Sequence, residues 1–243
     1  MQSPSEWLAE TDPERVLLFL RPILDPDLHH FDDRKLWLFC VACCRRVWHL
    51  MTDERTRRLV EVVERWADGK ATDAEWTEAA PPAHAAWAEL LDHPWGVNPA
   101  ADIAHAARQA AAAAGEGLAR GEEHFEPGTR ALRNAVMVLT VTARATHPYP
   151  GVIPESAVQA VLLRCLAGNP FRPVEFNPAW RTPTVQSVAE GIYADRMWER
   201  MPVLGDALED AGCTEAEVLG HCRGGGPHAR GCWVVDALLA KEC

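Results

Sequence analysis

The stretch HCRGGGPHARGCW, residues 221–233, gathers two histidines, two cysteines and two arginines around three consecutive glycines. Imidazole nitrogens and thiolate sulfurs are the ligands zinc prefers, so metal binding is the first chemistry to weigh. His228 and Cys232 are four residues apart and would share one face of a helix. Cys40 and Cys44 have the same spacing within the apolar run LWLFCVACC. Cys40, Cys44, His228 and Cys232 together make a candidate tetrahedral zinc set. His221 and Cys222 are spare ligands at one end, and Cys43 and His49 at the other. Against this stands the absence of a C-x-x-C pair matched by a second such pair. Cysteine is also commonly buried as a small hydrophobe. Packed thiols with no cofactor are therefore the expected state, and zinc the alternative.

The same letters allow two further chemistries. Glycines before a helix N-terminus expose N–H groups that favour an anion, and Arg223 and Arg230 flank them. Small-anion binding from Gly224 to Arg230 is thus a candidate, although the stretch is neither a Walker loop nor a dinucleotide fingerprint. A plain turn explains the glycines equally well, with Gly224 closing one helix and Pro227 opening the next. Alternatively, Cys222 or Cys232 could pair with His221 or His228 as an activated nucleophile. No orienting acid or oxyanion hole can be identified for it. Adjacent carboxylates such as Glu122–Glu123 and Glu209–Asp210 point in different directions on a helix and read as solvated charge.

Nearly every segment that must position these residues reads as helix. Asp12 and Pro13 open a helix to Leu20, and Asp32 or Asp33 opens a second to about Met51. Thr52 caps a third, DERTRRLVEVVERWAD, which stops at Gly69 and carries Leu59, Val62, Val63 and Trp66 on one face. TDAE, residues 72–75, has the form of a capping box. Pro81, Pro82, Pro94 and Pro99 break up the middle, and the glycine- and charge-rich 115–128 is a connection. Residues 129–145 favour helix over strand, and 168–180 is an extended, proline-stiffened segment. Helices are expected over 155–167, 183–198, 202–211, 214–223 and 227–242, with left-handed glycine stops after Ala211 and Arg223.

Two runs, 36–44 and 232–240, are apolar almost all round and belong inside a core. The expectation is that they pack together. Asp236 interrupts the second run, and a buried aspartate needs a partner. Arg45 and Arg46, directly after the first run, are the candidates for a structural ion pair with it, with Arg196 and Arg230 behind them. The ten tryptophans read chiefly as packing. Trp76, Trp87 and Trp95, in the proline-broken middle, are the candidates for an exposed interaction surface.

The 243 residues carry a net charge of −11, which repels phosphate backbones and argues against nucleic-acid or anionic-membrane partners. The start, MQSPSEWLAE, lacks a basic, apolar leader, and no apolar run approaches membrane-spanning length. Eight cysteines without an export signal imply reduced thiols in the cytoplasm.

TDPERVLLFLR, RKLWLFCVACCRRVWHLMTDER, ERWADGKATDAE, GNPFRPV and TPTVQSVAEGIYADRMWERMPVLGDALEDAGC, with the tail HCRGGGPHARGCWVVDALLAKE, resemble an uncharacterised bacterial protein family of many paralogous copies. The resemblance covers both ends and is poor over about 80–130. It implies no activity and carries over no catalytic residue. Family members resemble this chain in CRG-x-G-P-H, and the glycine at the middle position here, Gly225, leaves the turn intact.

The expected fold is all-α: an irregular multi-helix bundle, with little or no β, in which N- and C-terminal helices share one core. It is read as one domain, 1–243, with a variable excursion at about 80–130 and a C-terminal helical subdomain at about 151–243. The expected function is a non-enzymatic protein-interaction or regulatory scaffold with an unidentified protein partner. The alternatives are a zinc-stabilised or thiol-dependent enzyme centred on Cys40, Cys44, His228 and Cys232, and anion binding at the glycines.

Overall fold

The computed structural model describes residues 1, 3–20, 33–89 and 155–241. Trp95 and the segments 115–128 and 129–145 lie outside the described residues. Among the described residues there are ten α-helices and no strand, as the periodicity predicts. They are α1 (Pro4–Ala9), α2 (Pro13–Leu20), α3 (Asp33–Arg46), α4 (Glu54–Ala67), α5 (Asp73–Ala88), α6 (Glu155–Ala167), α7 (Pro183–Asp195), α8 (Met201–Asp210), α9 (Ala216–Arg223) and α10 (Trp233–Leu238). The proline-stiffened segment after α6 forms no strand; it runs into a 3-10 turn at Pro178–Trp180.

The chain divides into two compact units. One comprises Met1–Thr11, Arg15–Phe31 and Ala160–Cys243, and the other Asp12–Glu14 and Asp32–Gln159. Phe39 belongs to the second and Val235 to the first. The two apolar helices are thus each buried in a unit of their own. The N- and C-terminal segments do share a unit, but through α1 and α2. Arg164 on α6 donates to the carbonyls of Trp7 and Glu10 at 3.1 and 2.8 Å, satisfying groups that the end of α1 leaves unpaired. Phe19 stacks on Phe171 at 5.6 Å and meets Trp7 at 5.7 Å.

In the second unit α3 packs on α4, and α4 on α5. α3 is buried from Lys35 to Cys44, as an all-round apolar helix must be. Asp53 caps α4 in place of the expected Thr52, accepting from the Arg55 N–H. Gly69 ends that helix at φ +67°. The capping box forms, with the Thr72 oxygen on the Glu75 N–H and the Glu75 carboxylate on the Thr72 N–H. Pro81 and Pro82 do not interrupt the chain; α5 runs through both. Each removes one backbone donor, but the prolines and the residues four positions before them, Thr77 and Glu78, are exposed, so water can serve the released carbonyls. The opposite face buries Ala79, Ala80, Ala83 and Ala86, small enough for close packing.

Trp76 is fully buried, which corrects its assignment to an interaction surface. It meets Trp37 and Trp66 edge-on at 5.1 and 4.5 Å, the arrangement aromatic quadrupoles favour. Trp87 is half-buried on the same helix. The expected pairing of Asp236 with Arg45 or Arg46 is also corrected. Arg45 Nη2 bonds Glu64 at 2.8 Å and stacks on Trp48 at 4.0 Å. Arg46 Nη2 bonds Glu155 at 2.8 Å. Glu64 and Glu155 are themselves buried carboxylates and take up these charges. Asp236 is buried, as its apolar setting implies.

Candidate metal centre

α7, α8, α9 and α10 pack in succession, with α10 also against α7. Gly212 follows α8 at φ +84°, the left-handed stop the sequence predicts. Gly224 after α9 is different, with an extended backbone at φ −66° and ψ 132°. Pro227 starts no helix. Residues 224–232 form an irregular loop, and α10 begins only at Trp233, with Cys232 as its N-cap. His228 and Cys232 are therefore not one turn apart on a helix face. A local turn joins them, with the Cys232 N–H on the Ala229 carbonyl at 3.0 Å and Gly231 at φ +89°.

Two close approaches bring this loop and α10 against α6. A Cβ on Gly226 would lie 3.3 Å from Val161 Cγ1, one turn before Cys165. A Cβ on Gly168, at φ +72°, would lie 3.2 Å from the Trp233 ring, just beyond Cys165. Cys165 is thus framed from both sides by glycines that let the partner segment reach the helix. Trp233 in turn packs on His221 at 5.5 Å and on Phe176 at 5.7 Å.

Four side chains meet here: Cys165 from α6, His221 from α9, His228 from the loop and Cys232 at the start of α10. One ligand atom from each lies within 4.8 Å of all the others. Cys165 Sγ is 3.8 Å from His221 Nε2 and 3.5 Å from His228 Nδ1, and His221 Nε2 is 3.2 Å from Cys232 Sγ. Tetrahedral zinc, with bonds of about 2.3 Å to sulfur and 2.0–2.1 Å to nitrogen, requires sulfur–nitrogen separations of about 3.6 Å. The observed values bracket that figure. The two cysteines are buried and both histidines half-buried. The two rings stand edge to face, 4.8 Å apart. His228 Nε2 is buried with no hydrogen-bond partner, so protein contacts on that nitrogen do not fix the ring.

Electrostatics separates Cys232 from the other thiols. Burial pushes the Cys232 thiol up. The hydrogen bond with Cys165, the charge of His221 and the hydrogen bonds with both imidazoles outweigh burial and hold it well below its ordinary value. Burial instead raises Cys222 and Cys213 in the same unit. It also raises Cys40 and Cys43, and pushes Cys44 up to about 12. Cys40 and Cys44 therefore behave as packed apolar groups. They belong to the other unit and are not members of the four-residue group.

The candidate set drawn from the sequence thus contained two of the four residues, His228 and Cys232, and a third, His221, as a spare ligand. It missed Cys165, which stands 56 residues before His221 on an otherwise ordinary helix, with no second ligand near it in sequence. The available signal was the group H-x6-H-x3-C, which supplies three ligands from one stretch and leaves one to be found.

Arg223 is held by Asp206 and Glu209, and Arg230 donates to the carbonyls of Tyr193 and Ala194. Both cations flanking the glycines are thereby engaged. A Cys232–His221 nucleophilic pair has the distance, but a second thiol, Cys165, faces the same imidazoles, which is the arrangement of a ligand set. No described helix is long and apolar enough to cross a membrane. No protein-family model, curated protein or solved structure matches the chain.

Proposed function

We propose that this chain is a non-enzymatic module whose C-terminal unit is held together by a structural zinc ion on Cys165, His221, His228 and Cys232. One observation carries the reading: four separate segments deliver two sulfurs and two nitrogens to within 4.8 Å of one another, at sulfur–nitrogen separations that suit tetrahedral zinc. Softness and geometry favour zinc, since two thiolates and two imidazoles in a tetrahedron are the donor set it takes in structural sites. Four protein ligands complete that tetrahedron and leave no position for water or substrate, which supports a scaffold over a catalyst. The low Cys232 thiol supports it as well, because metal ligation requires thiolate. In this reading the module works in the reducing cytoplasm and its partner is another protein.

The test is elemental analysis of the full chain purified without added metal or affinity histidines. One zinc per chain is expected, and cobalt substitution should give the visible bands of a tetrahedral thiolate site. Structural zinc contributes about 10–16 kcal/mol of binding free energy, so a strong chelator should unfold the C-terminal unit. Substoichiometric metal, or chelation that leaves the near-ultraviolet signal of the tryptophans intact, rejects the reading.

A further inference from the structure

The geometry points to a modification site within this centre: hydrogen peroxide converts Cys165 and Cys232 to a disulfide and expels the zinc. The inference rests on the zinc reading above.

The two sulfurs sit within 4.8 Å of each other, although they come from different helical segments, and both cysteines are buried. In the zinc-loaded state the tetrahedron sets their spacing at about 3.8 Å. A disulfide needs about 2.05 Å, so the sulfurs must close on each other once the metal releases them. Cys165 on α6 must move toward Cys232, the N-cap of α10. The loop between His221 and Cys232 is irregular and glycine-rich, and it can absorb such a shift. Both histidines are half-buried, and His228, whose Nε2 is itself buried, has no protein partner on that nitrogen to hold it once its metal bond breaks. Swinging that ring outward opens the sulfurs to a small oxidant.

The step balances. The Cys232 thiolate attacks one peroxide oxygen, breaking the O–O bond and leaving a sulfenic acid and hydroxide. The Cys165 thiolate attacks that sulfenic sulfur, forms the S–S bond and expels a second hydroxide. Two protons from solvent turn the hydroxides into two waters. The sulfurs lose two electrons, the peroxide gains two, and Zn²⁺ leaves with its charge unchanged.

The neighbouring thiols are poor competitors. Cys213 and Cys222 lie in the same unit but are buried and are not members of the four-residue group. The product is therefore specific. It ties α6 to the start of α10 covalently while it frees His221, His228 and the loop.

The experiment uses the zinc-loaded full chain, hydrogen peroxide as oxidant and a chromogenic chelator as zinc reporter. One zinc should be released per two thiols lost, and the intact mass should fall by two hydrogens. Peptide mapping should join the Cys165 and Cys232 peptides, and thiol reductant with added zinc should restore both metal and mass. The Cys222→Ala and Cys213→Ala variants should release zinc at the parent rate. A disulfide to Cys222, sulfinic acid in place of a disulfide, or retention of zinc through peroxide treatment overturns the inference and leaves the zinc reading standing. A chain that holds no zinc before oxidation removes both.

Discussion

Replacing Gly168 by alanine probes the frame of the metal centre without touching a ligand. Gly168 adopts φ +72°, a conformation that costs an L-residue about 1–2 kcal/mol. Its added Cβ would also lie 3.2 Å from two atoms of the Trp233 ring, so the ring must move. Overpacking of that kind adds about 1–3 kcal/mol, giving a total near 2–5 kcal/mol. Gly212 is the control. It lies in the same unit at φ +84°, and a Cβ there would meet nothing within 4 Å, so Gly212→Ala should show the backbone cost alone. The difference between the variants isolates the clash with Trp233. Because Trp233 packs on His221, Gly168→Ala should also weaken zinc retention against a competing chelator, and Gly212→Ala should not. Urea denaturation of the zinc-loaded chain measures the first effect and chelator competition the second. Equal destabilisation by the two substitutions, with equal zinc retention, would refute the claim that α6 and α10 are pressed together at this glycine.

Three other outcomes follow from the same physics. Trp76→Ala should cost about 3–5 kcal/mol in chemical denaturation, since it empties the centre of the Trp37–Trp66–Trp76 cluster; a loss under about 0.5 kcal/mol would return this residue to the surface. Glu64→Ala should cost about 3 kcal/mol, the low end for breaking a buried pair, because Arg45 keeps some contact with water and its stack on Trp48; an unchanged denaturation midpoint contradicts that. The Cys232 thiol is held below its ordinary value in the fold, so its stabilising contribution is full above the unfolded thiol's value of about 8.5 and is lost as pH falls through the folded one. Metal-free protein should therefore lose more stability than its Cys232→Ser variant between about pH 9 and pH 5, and parallel curves would count against the thiolate.

The helices were legible because their signals are local. The Thr72–Glu75 box, the Gly69 stop and the 3.6-residue face of α4 are each set by a few neighbouring residues. All-round apolar character likewise implied burial of 36–44 and 232–240 without saying beside what. The same locality misled at Pro227, where proline after glycine suggests a helix start. Ligand-bearing loops follow contacts with α6 that the local sequence does not encode. Pro81 and Pro82 misled in the opposite sense, because the penalty for proline inside a helix depends on whether water reaches the freed carbonyls.

Residue chemistry alone marked residues 221–233 as a place where imidazole and thiol meet, periodicity and caps made the chain helical, and composition made it acidic. Only the tertiary structure chose Cys165 over Cys40 and Cys44 and gave Arg45 and Arg46 to Glu64 and Glu155. The physical reason is that a cysteine's sequence neighbours say whether it will be buried, whereas its partners are set by which helix lies across the gap. Here that choice turns on glycines at 168 and 226, whose missing side chains let two distant segments touch.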